Sequence, residues 1–562
     1  MSETLNATEA SLRMRSILKK VDLAHALDLS SVLSWHDVVS EADADQNPLF
    51  PLVSAPTMQY VTQNMLLSGA TQNGRARLTP AGVQQVLELS HAMLNVDAQL
   101  NTPIESMSLS ELTTDLFAPM MRHQARLDAN LYQWDVAQAW RLVADLPRGQ
   151  RATLEQRLGN MYLDVPAEFK SRLGLEVEEI LAIAMTIAGH YASQAQARVA
   201  LLPRQGQPVD LLTQFLGNIQ RTTVGPIGVR FTEADLQRAL KDDTPERARR
   251  WLSAFSAAPT RLHQRMEETR RYFAGEQAFQ LLPLEATPVV RLRDGEYTVP
   301  NGHSLYVGFA QLAHLQATLN WDSPTLDRFR NTMGKVQELY LEEFAQKTLG
   351  DRATVIPEKR YRRPGAQNIV QGPDLTILEH GTRSAVLVES KAVQFDDWAR
   401  AGTGIEPFAT IDGRFSEVIE KADWKTDDLL NPEVGTYAPF RTLLDQVSPD
   451  QVVTVVVHAE HLHAFNVTWK TRRRAAGHPL HDHRPNFIAL SVGEFTRFLE
   501  ASRQSGQELY SLLTAQIDLI EQKDFGFDPS VLEDISVSIK RATQSREMEA
   551  FLTETKKYFR AD

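Results

Sequence analysis

The chain of 562 residues contains no cysteine. Disulfides, thiolate-bound zinc and cysteine nucleophiles are excluded, and the composition fits a reducing compartment. Long apolar runs are also missing. The most hydrophobic helix candidate, Glu179 to Ala188, falls well short of the roughly 20 residues that a membrane span needs. No glycine-lysine phosphate loop occurs, so nothing points to nucleotide hydrolysis. The opening segment MSETLNATEASLRMRS lacks the basic-then-apolar pattern of a secretory signal, and a cytoplasmic location without a membrane partner is expected. Positive charge is in deficit, with 59 Lys and Arg against 71 Asp and Glu and a net charge of -12. That balance excludes a generally basic nucleic-acid coat, so any such contact has to use local patches.

What is present is an ordinary globular composition, 43% hydrophobic and 23% charged, on a chain too long for one hydrophobic core. Up to about Pro283 the sequence reads as helices joined by short loops, for example Ala81 to Leu94, Leu131 to Leu142 and Leu175 to Ala192. Thr79-Pro80 and Thr244-Pro245 have the form of helix starts. Near residue 285 the texture changes to apolar runs around Asp294-Gly295, a hairpin signal. Three parts follow: a helical sensing or assembly domain over 1–285, a second domain over 286–505 with a hairpin lead-in over 286–322, and a helical extension over 506–562.

The second part opens with Ser323-Pro324, expected as N-cap and first helical residue of a long helix that stops at Gly350. A strand over Ala353 to Ile356 follows, then the basic segment Lys359, Arg360, Tyr361, Arg362 and Arg363. Further on, Phe415 to Leu430 reads as helix, Val452 to His458 as a buried strand, Asn486 to Leu490 as another strand, and Gly493 to Ala501 as helix. This mixing indicates an α/β sheet flanked by helices.

Between these elements lies the stretch with a chemistry. Two apolar runs, Asp374-Leu375-Thr376-Ile377-Leu378 and Ala385-Val386-Leu387-Val388-Glu389-Ser390-Lys391, flank a polar turn and read as paired strands. Alternation puts Glu389 and Lys391 on one face, and pairing would bring the Asp374 carboxylate beside Glu389. Two carboxylates with an adjacent ammonium suit phosphodiester hydrolysis, whose large barrier is lowered by a divalent ion that neutralises the phosphate. Mg²⁺, or Mn²⁺ in its place, needs few protein oxygens. Asp374, Glu389 and the carbonyl of Ser390 are the expected metal ligands, with Lys391 orienting the attacking water. The structural alternative is a turn aspartate followed by a solvated strand edge.

In these residues the chain resembles the PD-(D/E)xK nuclease superfamily, with Pro373-Asp374 and Glu389-Ser390-Lys391 at the motif positions, over roughly residues 325 to 500. The resemblance implies a restriction-endonuclease-like α/β domain with a central mixed sheet, here behind a mostly α-helical N-terminal half. It further implies a magnesium-dependent endonuclease acting on DNA or less often RNA, and a further acid on the first core helix. Gly334, four residues ahead, points to Glu338 as that acid, with Glu342 as the alternative. A clear apolar stripe, Phe329, Met333, Val336, Tyr340 and Phe344, faces away from both.

The segment Lys359, Arg360, Arg362, Arg363 and the run Arg472, Arg473, Arg474 are the expected phosphate-contacting patches. Six histidines between His458 and His483 fit a polar loop better than a second metal site. By architecture alone the arrangement is similar to bacterial anti-phage or restriction effectors regulated by an extra domain, acting as a homo-oligomer or with a partner protein. The alternative from another class is a catalytically silent nuclease-fold subunit that binds nucleic acid or acts as a scaffold.

Overall fold

The computed structural model of the chain describes residues 7–40, 49, 53–70, 76–98, 132–199, 201, 208–222, 226–240, 246–272, 282–362, 367, 369–391, 421, 425, 428, 447, 451–459, 487–522 and 546–558. Up to residue 286 these residues are almost entirely helical. Thr79 and Pro80 open the helix Pro80–Ala98 as expected, with the Thr79 hydroxyl accepting from the Gly82 amide at 3.2 Å. Thr244 and Pro245 lie outside the described residues, directly ahead of the helix Glu246–Phe255. The helix Val165–Leu173 is set by its ends: the Asp164 side chain accepts from Ala167 N, and Gly174, at φ 67, closes it in the left-handed conformation that favours glycine. The expected helix over Leu131 to Leu142 is found as Tyr132–Trp140, continued by a π-helical turn, Arg141–Asp145. No helix among the described residues is long and apolar enough to cross a membrane.

The Asp294-Gly295 hairpin is present, and its partners come from the helical half. Strands β1 (Phe231–Thr232), β2 (Ser256–Ala257), β3 (Val289–Arg291) and β4 (Glu296–Thr298) form a sheet of order β1-β4-β3-β2. Gly295, with φ 74, supplies the positive backbone angle that the tight link between β3 and β4 requires. Around this sheet the helices bury a core that runs through Trp35, Tyr191, Trp251, Phe255 and Phe309. Phe551, on the C-terminal helix Arg546–Thr555, enters the same core with its ring 5.7 Å from that of Trp140.

The second body is a mixed sheet. Strands β5 (Ala353–Pro357), β8 (Leu375–Glu379), β9 (Ser384–Lys391), β10 (Val452–His458) and β11 (Phe487–Ser491) lie in the order β11-β10-β9-β8-β5, while β6 (Arg360–Arg362) and β7 (Ile369–Gln371) pair separately. The β5-β8 and β8-β9 pairs are antiparallel and the other two parallel. Both faces are apolar, which explains runs with no polar alternation. Val386 and Val388 pack in the main core with Val336, Tyr340 and Phe495. Ala385 and Leu387 join a smaller cluster with Ile356 and Tyr361 on the opposite face.

Helices cover the main core. The long helix Ser323–Leu349 has Asp322 as its N-cap instead of the expected Ser323: the Asp322 carboxylate accepts from Thr325 N at 3.0 Å and from the Thr325 hydroxyl at 3.1 Å. An aspartate preceding Ser-Pro reaches the first-turn amides, which moves the cap one residue upstream. Gly350 stops the helix, as expected. The helix Val492–Ser505 begins with a reciprocal Ser491–Glu494 capping box, and Leu509–Gln522 follows it. Most of the expected Phe415–Leu430 helix lies outside the described residues, but Lys421, Lys425 and Asp428 have helical backbone.

Candidate active site

The polar end of β8 and β9 is built by their register. Leu375 pairs with Val388 across the antiparallel ladder, so Asp374, one residue before β8, stands opposite Glu389. The reversal between the strands is His380 to Arg383, with Arg383 in the left-handed region at φ 58. The Asp374 carboxylate accepts from Ser390 N at 2.7 Å, and its own carbonyl accepts from Glu358 N at 2.9 Å. Asp374 is thus fixed from two neighbouring strands with one carboxylate oxygen, Oδ2, engaged by the backbone.

Glu389 is 3% exposed. By strand alternation it shares the face of Leu387, away from the long helix. Its Oε1 accepts from the Lys425 ammonium at 2.6 Å, and Lys425 is itself buried. Burial raises the Glu389 carboxyl most, the Asp374 carboxylate raises it further, and Lys425 and Lys391 oppose both without prevailing, so it is pushed up to about 7. Lys391, two residues on, shares this strand face by alternation. His458 lies beside Lys391 in the parallel register with β10 and is buried.

The long helix contributes from the other side. Gln337, 3% exposed, donates to the Ser390 hydroxyl at 3.0 Å and to the Val457 carbonyl at 3.3 Å, which docks the helix on β9 and β10. Its neighbour Glu338 is raised above the ordinary carboxylate range, first by burial and then, against the hydrogen bond from Lys335, by Asp374. Lys335 bonds Glu338 and stands 3.8 Å from Glu358. Glu342 accepts instead from Gln346 in an exposed contact one turn further on. Of the two helix acids, Glu338 is held by Lys335 and raised by burial and by Asp374, and Glu342 is held by Gln346.

The region therefore holds two acid-lysine sets, Glu389 with Lys425 and Glu338 and Glu358 with Lys335, with Asp374 opposite Glu389 in the register. Among the described residues no three carboxylate or imidazole side chains converge closely enough to cage a metal on their own. The donor set still fits a Mg²⁺-type ion, which takes one or two carboxylates and keeps several waters. The Asp374 carboxylate raises the cost of charging Glu389, and a cation between them would relieve it. In this structure the Lys425 ammonium is the cation at Glu389.

The basic segment forms β6, where Arg360 and Arg362 are exposed, as is Lys359 ahead of it. Tyr361, between them, is buried and donates to the Asp428 carboxylate at 2.7 Å. Lys359 accepts through its carbonyl from Gly372 N at 2.8 Å, which joins this strand to the segment carrying Pro373 and Asp374. Arg363, Arg472, Arg473 and Arg474, and the histidines after His458, lie outside the described residues.

Sequence reasoning missed Lys335, Gln337, Glu358 and Lys425. Lys335 stands three residues before Glu338, a spacing readable as a helical ion pair. Glu358 and Lys425 had no local signal. No family model, curated protein or solved structure matches the chain.

Proposed function

We propose that the protein is a divalent-metal-dependent endonuclease of the PD-(D/E)xK type, acting on DNA in preference to RNA, with its helical N-terminal half as the regulatory part. The observation that carries this reading is the register that sets Asp374 opposite Glu389, two residues ahead of Lys391, at one end of adjacent strands, where the motif requires its acids and lysine. Asp374 and Glu389, with the Ser390 carbonyl, would hold Mg²⁺ or Mn²⁺. Such an ion supplies neutralisation of charge on the phosphate and acidifies a bound water. Lys391 orients that water and meets the charge that grows on the phosphate oxygens. The attacking oxygen bonds to phosphorus as the bond to the leaving sugar oxygen breaks. Lys335 pairs with Glu338 and Glu358, and Gln337 holds the Ser390 hydroxyl. Arg360 and Arg362 would pair with backbone phosphates leading to the site. A role in anti-phage or restriction-type defence, in an oligomer or with a partner protein, extends this reading by architecture alone.

One observation favours the second reading, a catalytically silent nuclease-fold subunit: an ammonium already sits on Glu389. The two part on a cleavage assay with plasmid, linear duplex, single strands and RNA, with Mg²⁺ or Mn²⁺ and with EDTA. Metal-dependent cleavage is expected, abolished by EDTA and reduced at least about 100-fold in Asp374→Ala and Lys391→Ala. Absence of cutting on every substrate would leave the silent reading, and full activity in both variants would rule out this site as the source of the cleavage.

A further inference from the structure

We propose that Lys425 is a built-in counter-ion of this site, which neutralises Glu389 until a divalent ion takes that carboxylate and displaces the ammonium. The inference rests on the metal-site reading above and adds a residue outside its motif.

Three observations carry it. The bridge is short and shielded: Nζ to Oε1 is 2.6 Å, with the lysine side chain 9% and the glutamate side chain 4% exposed. Solvated surface pairs are interchangeable, whereas here two charges have been taken out of water to meet each other. Second, Glu389 has another lysine on its own strand face, Lys391 two residues on, which opposes the rise of its carboxyl. A divalent ion on the same carboxylate would add a third positive centre, and like charges close together in a shielded site repel strongly. One has to leave, and Lys425 is the one carried by a different segment. Third, that segment is tethered where it can let go of one contact and keep another: Asp428, three residues on, accepts from Tyr361 of β6 at 2.7 Å. Release of Lys425 would leave its backbone anchored next to the exposed Arg360 and Arg362, and would turn the ammonium toward the path by which phosphates reach the site.

The direct test is Mn²⁺ binding to the full chain without nucleic acid, followed by the electron paramagnetic resonance signal of free Mn²⁺. Lys425→Met is expected to bind the Asp374-dependent Mn²⁺ at least about ten-fold more tightly than the parent, because the competing charge is gone, and Lys425→Arg to bind as the parent does. Parent binding that Asp374→Ala removes, with Lys425→Met unchanged or weaker, overturns the displacement and leaves the metal site standing. No Asp374-dependent binding in any form overturns both.

A second measurement needs no variant, should Lys425→Met fold poorly. Amine methylation read by mass spectrometry is expected to label Lys425 several-fold faster with saturating Mg²⁺ than without, against the exposed Lys421 as internal reference. Equal labelling of Lys425 with and without Mg²⁺, at a concentration that drives cleavage, refutes the displacement.

Discussion

Glu338 and Glu342 stand one helical turn apart, yet the Glu338 carboxyl is held by Lys335 and raised by burial and by Asp374, while Glu342 bonds Gln346 at the surface. The expected consequence is a clean asymmetry. Glu338→Gln should lower metal-dependent cleavage between about 10-fold and 100-fold, the usual cost of removing a group that orients a metal ligand, and Glu342→Gln should leave it within about two-fold. Rates of plasmid nicking at fixed Mg²⁺ decide it, and equal losses in the two variants would refute the placement. The sequence alone left this choice open for a definite reason. The stripe Phe329, Val336, Tyr340, Phe344 turned away from both acids, but Gln337 and Leu341 are equally buried, so the helix is covered on two sides and Glu338 stands at their border. A helix packed between a sheet and other helices has no single apolar face to read. Asp374, Glu389 and Lys391 were legible because two strands and a turn fix them locally. Lys425 and Glu358 were not, because tertiary contacts alone bring them in.

At the scale of elements, β6 joins an exposed basic edge to a buried anchor. Arg360 and Arg362 point outward, and Tyr361 between them holds Asp428. If this strand is where phosphates first meet the protein, Arg360→Ala and Arg362→Ala should each weaken duplex binding and reduce the slope of log K against log salt by about 1. Fluorescence anisotropy in a metal-free salt series measures it, and an unchanged slope removes β6 from the interface. The strands of the larger sheet were readable from their β-branched runs, and their ends fell within a residue or so of expectation. The two-residue strands β1 and β2 carried no such signal, since segments that short are defined by the partner they find and not by their own pattern.

For the molecule as a whole, the C-terminal helix packs into the core of the N-terminal half. Phe551 is fully buried against Trp140 in the core of the N-terminal half. Arg141 of the adjoining π-helical turn bonds Glu343 at 2.6 Å, and Gln138 donates to the Tyr340 hydroxyl at 3.2 Å, both on the long helix. The helical half is therefore bolted to the helix that presents Glu338, a route by which events there can reach the site. Phe551→Ala should cost about 3 to 5 kcal/mol of stability through the lost packing and the cavity left behind. Urea unfolding would show this as a lower midpoint at constant slope, and a loss below about 1 kcal/mol would mean that the C-terminal helix adds little to that core.

The four-stranded sheet has one more consequence. β3 and β4 come after residue 285, yet their neighbours β1 and β2 come before it. A protease cut between β2 and β3 would leave each polypeptide with open strand edges whose backbone groups match those of the other. Such fragments would behave as halves of a split protein, reassembling without a covalent link when co-expressed and exposing sticky edges when produced alone. Integrity of the linkage would then give way to concentration as the factor that governs whether the molecule is whole.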